Sequence, residues 1–147
     1  MSDAESWRSR NAALISALRV VRERFGQEAL DLLAAHHRKR VRAASQERAA
    51  ALGRNDLAAL AELHDAPSET HRLQWLRRQE RVLEFKIVRC AHAEQYAADG
   101  ARDFGLAFMC AGDEAMIEGF NPKIRLERPR LLMKGDDCCH FIYRLEE

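Results

Sequence analysis

The chain has 147 residues, of which 47% are hydrophobic and 32% charged, and its formal net charge is +1. This is the composition of one folded domain with an ordinary core rather than of a disordered chain. A charge so close to zero gives no field that would attract nucleic acid, and no apolar run approaches the roughly 18 residues that a membrane span needs.

The N-terminal part, residues 4–63, is rich in Ala, Leu, Arg and Glu and contains no proline. Two or three helices are expected here, with breaks at Gly26 and at residues 52–56. An apolar stripe at helical spacing predicts the face that covers the core: Leu14, Leu18, Val21 and Phe25, then Ala29, Leu32 and Leu33. If the stripe were exposed instead, the first half would be a helical interaction module. The N-terminus lacks the compact apolar segment of a signal peptide, which predicts a cytoplasmic protein.

A further helix is predicted over residues 65–85, "DAPSETHRLQWLRRQERVLEF". Ser68 follows a proline and has the residue type of an N-cap. Leu73, Leu76 and Val82 would then form the apolar side of this helix.

From Glu84 onward the pattern changes to short strands and turns. "EFKIVRCA" (84–91) is β-prone, and residues 92–105 predict a short helix that ends at Gly100. "LAFMCAGDEAMIEGF" (106–120) fits either a strand or a helix. Two alternating segments follow. The turn signal "NPK" (121–123) precedes the first, and "KGDD" (134–137) precedes the second.

These elements predict an α+β fold in which N-terminal helices pack on a small antiparallel sheet formed by the C-terminal half. The expected organisation is one domain, 1–147, with a helical part at 1–83 and a sheet-forming part at 84–147.

Four cysteines lie in or beside the predicted strands of the second half: Cys90, Cys110, Cys138 and Cys139. They lack CxxC spacing, and reduced thiols are expected rather than a disulfide framework. Packing in the core is the usual role of such a thiol. Because strand side chains alternate, Cys139 shares a face with Phe141 and Tyr143, and Cys138 lies on the opposite face with His140.

Asp113 follows Cys110 by three residues, so the two side chains share a face if the segment is helical. A carboxylate in that position can accept the proton of the thiol or hold a water molecule for attack. The alternative is that Asp113 begins a turn or caps a helix. Asp136 and Asp137 lie in a predicted turn, where aspartate commonly bonds nearby backbone amides.

The stretch "CAGDEAMIEGFNPKIRLERPRLLMKGDDCCHF" (110–141) resembles the signature region of the L-2-amino-thiazoline-4-carboxylic acid hydrolase family. Upstream, "EFKIVRCAHAEQYAADG" resembles the strand, cysteine and short helix of that family, with Cys90 in place. His140 departs from the pattern, since the residue after the last family cysteine is often acidic. The resemblance rests on Cys110, Asp113, Asn121, Pro122, Gly135, Asp136, Cys139 and Phe141.

The resemblance implies hydrolytic opening of a small cyclic amidine. Cys139 or Cys110 would attack as a thiolate, or a water activated by Asp113 and Asp136 would attack instead. Asp113 would be the general base, and Asn121 would donate to the developing charge. The substrate carboxylate would pair with Arg125, Arg128 or Arg130, and His140 would tune the thiol.

No cofactor is expected; the second choice is a zinc ion bound by Cys90, Cys110 and Cys139. The expected partner is a small-molecule substrate, without nucleic acid or membrane, and a homodimer is a reasonable expectation because small symmetric oligomers are common. The ending Gly-Asp-x-x-Cys-x-Phe is also similar to vinyl-reductase-like domains. That similarity implies a non-catalytic small-molecule-binding or sensor domain as the alternative function.

Overall fold

The computed structural model describes residues 3–147, so Met1 and Ser2, which belong to the stretch used to argue against a signal peptide, lie outside the described residues. The helices and strands follow one another in the order α1 (Asp3–Leu52), α2 (Leu57–Asp65), β1 (His71–Gln79), β2 (Val82–Cys90), α3 (Ala91–Ala98), α4 (Arg102–Gly105), α5 (Ala111–Phe120), β3 (Ile124–Arg130) and β4 (Cys139–Leu145). The predicted α+β class is confirmed. None of the described helices is long and apolar enough to cross a membrane.

Helix α1 leaves helical geometry at Gly26, where φ is 79° and ψ is −176°. The predicted break is therefore confirmed, and the positive φ explains why glycine stands there. The continuous core stripe is wrong in part, since Phe25, Leu32 and Leu33 are exposed. For Leu32 and Leu33 the reason is that the backbone change at Gly26 shifts the helical phase, so that Leu30 and Ala34 are the buried residues of the second half. Whether these side chains meet a partner, as in an interaction module or a homodimer, stays a prediction.

The second break lies between α1 and α2, as expected. Gly53 has a φ of 64°, and Asp56 then caps α2 by accepting a hydrogen bond from the backbone N–H of Ala59 at 2.7 Å. This turn directs α2 across the sheet, where Leu57 and Leu60 are fully buried.

The four strands form one antiparallel sheet in the order β1-β2-β4-β3. The helix predicted over residues 65–85 is wrong: these residues end α2 and form the hairpin of β1 and β2. Ser68 does accept the backbone N–H of His71 at 3.1 Å, as an N-cap would, but a strand follows it. Leu73 and Trp75 are half-buried between exposed neighbours, which is a strand pattern. The sheet therefore begins at His71, well before the predicted boundary at residue 84.

The second half also contains more helix than expected. Helix α3 ends before Gly100, whose φ is 62°, as predicted. The ambiguous segment 106–120 is helical: a π-helical turn, Leu106–Cys110, leads into α5. Cys110 is thus on a helix, and its expected place in or beside a strand is wrong.

Helices α1 and α5 approach each other closely at Gly119. A Cβ atom at this position would lie 2.2 Å from the backbone oxygen of Arg42. Beside this point the Ser45 hydroxyl donates to the backbone oxygen of Met116 at 2.7 Å. The packing fixes α5, and with it Asp113, against the rest of the fold.

Candidate functional site

A cavity of about 590 Å³ lies between one face of the sheet and the helices that cover it. This volume suits a small molecule. Apolar side chains form most of its wall, namely Leu63, Ala66, Pro67, Leu73, Trp75, Phe85, Ile87, Met116 and Phe141. Six polar side chains also reach it: His64, Asp65, Ser68, His71, Asp113 and Tyr143.

Asp113 lies in the first turn of α5 and opens into the cavity. Arg128, from β3, donates to its Oδ2 through Nη1 at 3.0 Å. Burial raises the pKa of Asp113 to about 6, and the charge and hydrogen bond of Arg128 oppose that rise. The carboxylate is therefore ionised at neutral pH and is a better proton acceptor than an exposed aspartate.

Arg128 is held by two further acceptors. Its Nη1 donates to the backbone oxygen of Cys110 at 2.5 Å, and its Nη2 donates to Glu114 at 2.7 Å. The side chain is only 10% exposed and does not line the cavity. Arg128 thus lies behind Asp113 as its positioning partner, whereas the resemblance implied a role in binding the substrate carboxylate.

The thiols lie beside the cavity rather than in its wall. Cys139 accepts the backbone N–H of Leu132 at 3.3 Å, and Cys90 accepts that of Ala93 at 3.4 Å. Burial raises the pKa of Cys110 to about 12 and that of Cys139 to about 11, with the charge of Asp113 adding to both shifts. Both thiols are therefore protonated at neutral pH, which is the state of a packed cysteine.

Beyond the effect of burial, Cys90 adds to the raised pKa of both Cys110 and Cys139, and Cys139 adds to that of Cys110, so the three side chains lie near one another. Within residues 3–147, however, no three His, Cys, Asp or Glu side chains form a group that could hold a metal ion. Zinc binding through these cysteines stays a prediction.

Three other predicted site residues have structural contacts away from the cavity. The Asn121 amide donates to the backbone oxygen of Asn55 and accepts the N–H of Lys123, each at 2.9 Å. Asp136 accepts the N–H of Leu131 at 2.8 Å, which closes the turn. His140 is on the opposite sheet face, where its Nε2 lies 2.8 Å from Glu84.

His64 and Tyr143 both line the cavity, but neither was predicted as a site residue from the sequence. Their rings lie 5.7 Å apart, and neither His64 Nε2 nor the Tyr143 hydroxyl has a hydrogen-bond partner among the described residues. Burial lowers the pKa of His64 to about 4 and raises that of Tyr143 well above 10, so both are neutral. The shared strand face of Tyr143 and Cys139 was a usable signal; nothing in the spacing pointed to His64.

His71 lies at the mouth of the cavity, at the start of β1. Its Nδ1 is 2.9 Å from the hydroxyl of Thr70. Loss of water around the ring lowers its pKa, so His71 is also neutral near pH 7. His71 was not predicted as a site residue because its segment was assigned to a helix.

A helix-covered antiparallel sheet with a half-buried carboxylate beside it defines an α+β protein whose cavity has the size of a small-molecule site. Residues 7–143 match the family described as L-2-amino-thiazoline-4-carboxylic acid hydrolase, and the chain belongs to that family. The family name is that of a hydrolase. Among curated proteins, none matches the chain.

Proposed function

We propose that the protein hydrolyses a small cyclic amidine of the 2-amino-thiazoline type, and that Asp113 activates the attacking water. The proposal is carried by the position and the pKa of one ionisable side chain, Asp113. Asp113 combines access to the cavity with a pKa of about 6, and Arg128 fixes its orientation. A general base works best when its pKa lies near the working pH.

The reaction adds one water to the protonated ring. The water oxygen bonds to the carbon that carries two nitrogens and sulfur, while one water proton passes to Asp113. The ring carbon–sulfur bond then breaks, its electron pair leaves on sulfur, and Asp113 returns the proton to that sulfur. The remaining hydroxyl proton goes to solvent as the amidinium charge is lost, which leaves a urea and a thiol.

A water nucleophile is preferred over a thiolate because of the state of the cysteines. The raised pKa values of Cys110 and Cys139 leave almost no thiolate at neutral pH, and neither side chain lines the cavity.

The test is a turnover assay with L-2-amino-thiazoline-4-carboxylate and with 2-amino-2-thiazoline, each with and without a chelator. Release of a thiol with a product heavier by one water supports the proposal. Loss of that activity with chelator would move the zinc alternative to first place. Tight binding of either compound without turnover would favour the non-catalytic sensor.

Three variants and one control assign the roles. Asp113→Asn should lower kcat by roughly 100- to 10,000-fold, which is the usual contribution of a general base. The matched control is Glu118→Gln on the same helix, whose carboxylate pairs with Arg42 outside the cavity. Cys139→Ser and Cys110→Ser should keep most of the activity, and a loss comparable to that of Asp113→Asn would restore the thiolate mechanism.

A further inference from the structure

The cavity has an unusual charge content for a site whose family is named after a carboxylate. Among the described residues, no Arg or Lys side chain lines it. Its acidic residues are Asp113 and Asp65, and Asp65 is already bound by Arg78 at 2.8 Å and by the indole N–H of Trp75 at 2.9 Å. Within residues 3–147, Asp113 is therefore the one carboxylate of the cavity that is open to a ligand.

The arginines that the resemblance implied for a substrate carboxylate are engaged elsewhere. Arg128 donates to Asp113, Glu114 and a backbone oxygen behind the cavity. Arg125 pairs with Glu146 at 2.6 Å, and Arg130 pairs with Asp137 at 2.9 Å. Moving any of them into the cavity would break an ion pair.

The two histidines of the cavity do not replace these cations. His64 and His71 both have a pKa lowered by loss of water around their rings, so they are uncharged at neutral pH. A carboxylate placed in this cavity would lose its water without gaining a cation, which is costly.

The polar atoms without partners are well suited to a ligand that donates hydrogen bonds. Arg128 occupies Oδ2 of Asp113 and leaves Oδ1 without a partner among the described residues. His64 Nε2 and the Tyr143 oxygen are buried and also lack partners there. Tyr143 lies close enough to Asp113 for the carboxylate charge to raise its pKa. An amidinium ion carries several N–H donors, and such a cation pairs favourably with a carboxylate.

We infer that the cavity of this chain is selective for cationic cyclic amidines without a carboxylate, with Asp113 receiving the amidinium and with His64 and Tyr143 as neutral hydrogen-bonding partners. This inference rests on the proposed function and narrows its substrate class. It assigns His64 and Tyr143 as specificity-determining residues.

The experiment compares 2-amino-2-thiazoline with L-2-amino-thiazoline-4-carboxylate at pH 7, by kcat/KM and by calorimetric binding to the Asp113→Asn variant and to the unaltered protein. The compound without the carboxylate should be preferred by at least about tenfold, because its competitor places an unpaired charge in the cavity. Asp113→Asn should weaken the binding of 2-amino-2-thiazoline.

The outcomes separate this inference from the proposed function. Equal use of the two compounds, or preference for the carboxylate, overturns the inference and leaves the hydrolase intact. If neither is hydrolysed, the proposed function fails, and binding decides the inference: selective binding of the uncarboxylated amidine supports it, and no binding contradicts it.

A designed cation tests the physical cause. Ala66 lies at the exposed rim of the cavity, so Ala66→Lys supplies the missing positive charge. This variant should shift the kcat/KM ratio severalfold toward the carboxylated compound. Gln74→Lys is the matched control, since Gln74 is exposed on β1 and does not line the cavity. An unchanged ratio in Ala66→Lys would contradict charge as the origin of the preference.

Discussion

The carboxylate of Asp113 and the guanidinium of Arg128 join helix α5 to strand β3, with Oδ2 and Nη1 3.0 Å apart. The two residues have opposite surroundings: Asp113 opens into the cavity, whereas Arg128 is almost fully covered. Burial and the arginine act against each other on the carboxylate, and burial has the larger effect on its pKa. The pair therefore holds a proton acceptor that titrates within the range of ordinary assays.

The first prediction concerns the pH dependence of turnover. Because only ionised Asp113 accepts a proton, kcat/KM should rise with pH and reach half of its plateau near the pKa of about 6. Below that pH it should fall about tenfold per unit. Initial rates between pH 4.5 and 9.5 check this. Activity that keeps rising above pH 8 would point to a thiolate, since the pKa values of the thiols are about 11 and 12.

The second prediction is that Arg128→Gln moves the pH profile to higher pH. Arg128 lowers the pKa of Asp113, so its removal leaves burial unopposed and keeps the carboxyl protonated to higher pH. The plateau should also fall, because the carboxylate loses its orienting partner. Arg125→Gln is the control: its partner is Glu146 at the surface, and the profile should not move. If the profile of Arg128→Gln did not shift, Asp113 would not be the group whose titration sets the pH dependence of kcat/KM.

The sequence patterns predicted correctly the helices and strands whose ends are marked by residues typical of turns. Gly26, Gly53 and Gly100 marked breaks that the structure has, and alternation marked β4. Strand β1 was missed because its connection to β2, Glu80–Arg81, contains neither glycine nor asparagine. Leu73 and Leu76 are also three residues apart, a spacing that is typical of a helix. Pairing with β2 nevertheless holds this segment as a strand.

The candidate site was predictable only where its residues fell in the family signature. Asp113 and Arg128 were both identified, but the direction of Arg128 depends on how β3 meets α5. His64, near the end of α2, and His71, at the start of β1, reach the cavity on either side of the α2–β1 connection, and the segment of His71 was assigned to a helix. The burial that holds both thiols in the protonated state is a tertiary property, so spacing could not reveal it.

The third prediction separates stability from binding at Tyr143. Its buried hydroxyl has no partner among the described residues, so Tyr143→Phe should stabilise the free protein by about 1 kcal/mol. The same change should weaken amidine binding, because one contact is lost. Tyr96→Phe is the matched control: that hydroxyl is also buried without a described partner but lies outside the cavity. It should stabilise similarly and leave kcat/KM unchanged. Urea unfolding and kinetics together check both variants, and equal kinetic effects would refute the assignment.

The last prediction concerns the contact that positions α5. A Cβ atom on Gly119 would lie 2.2 Å from the backbone oxygen of Arg42, and backbone on a long helix cannot move aside easily. Gly119→Ala should therefore lower the free energy of unfolding by roughly 1–3 kcal/mol, the usual cost of overpacking.

Gly112→Ala provides the control within the same helix. Nothing lies within 4 Å of its added Cβ, so the only effect is the better helix propensity of alanine. That variant should gain roughly 0.5–1 kcal/mol. Urea titration of both proteins measures the difference. If the two substitutions had the same sign, close contact between α1 and α5 would not be what requires glycine at position 119.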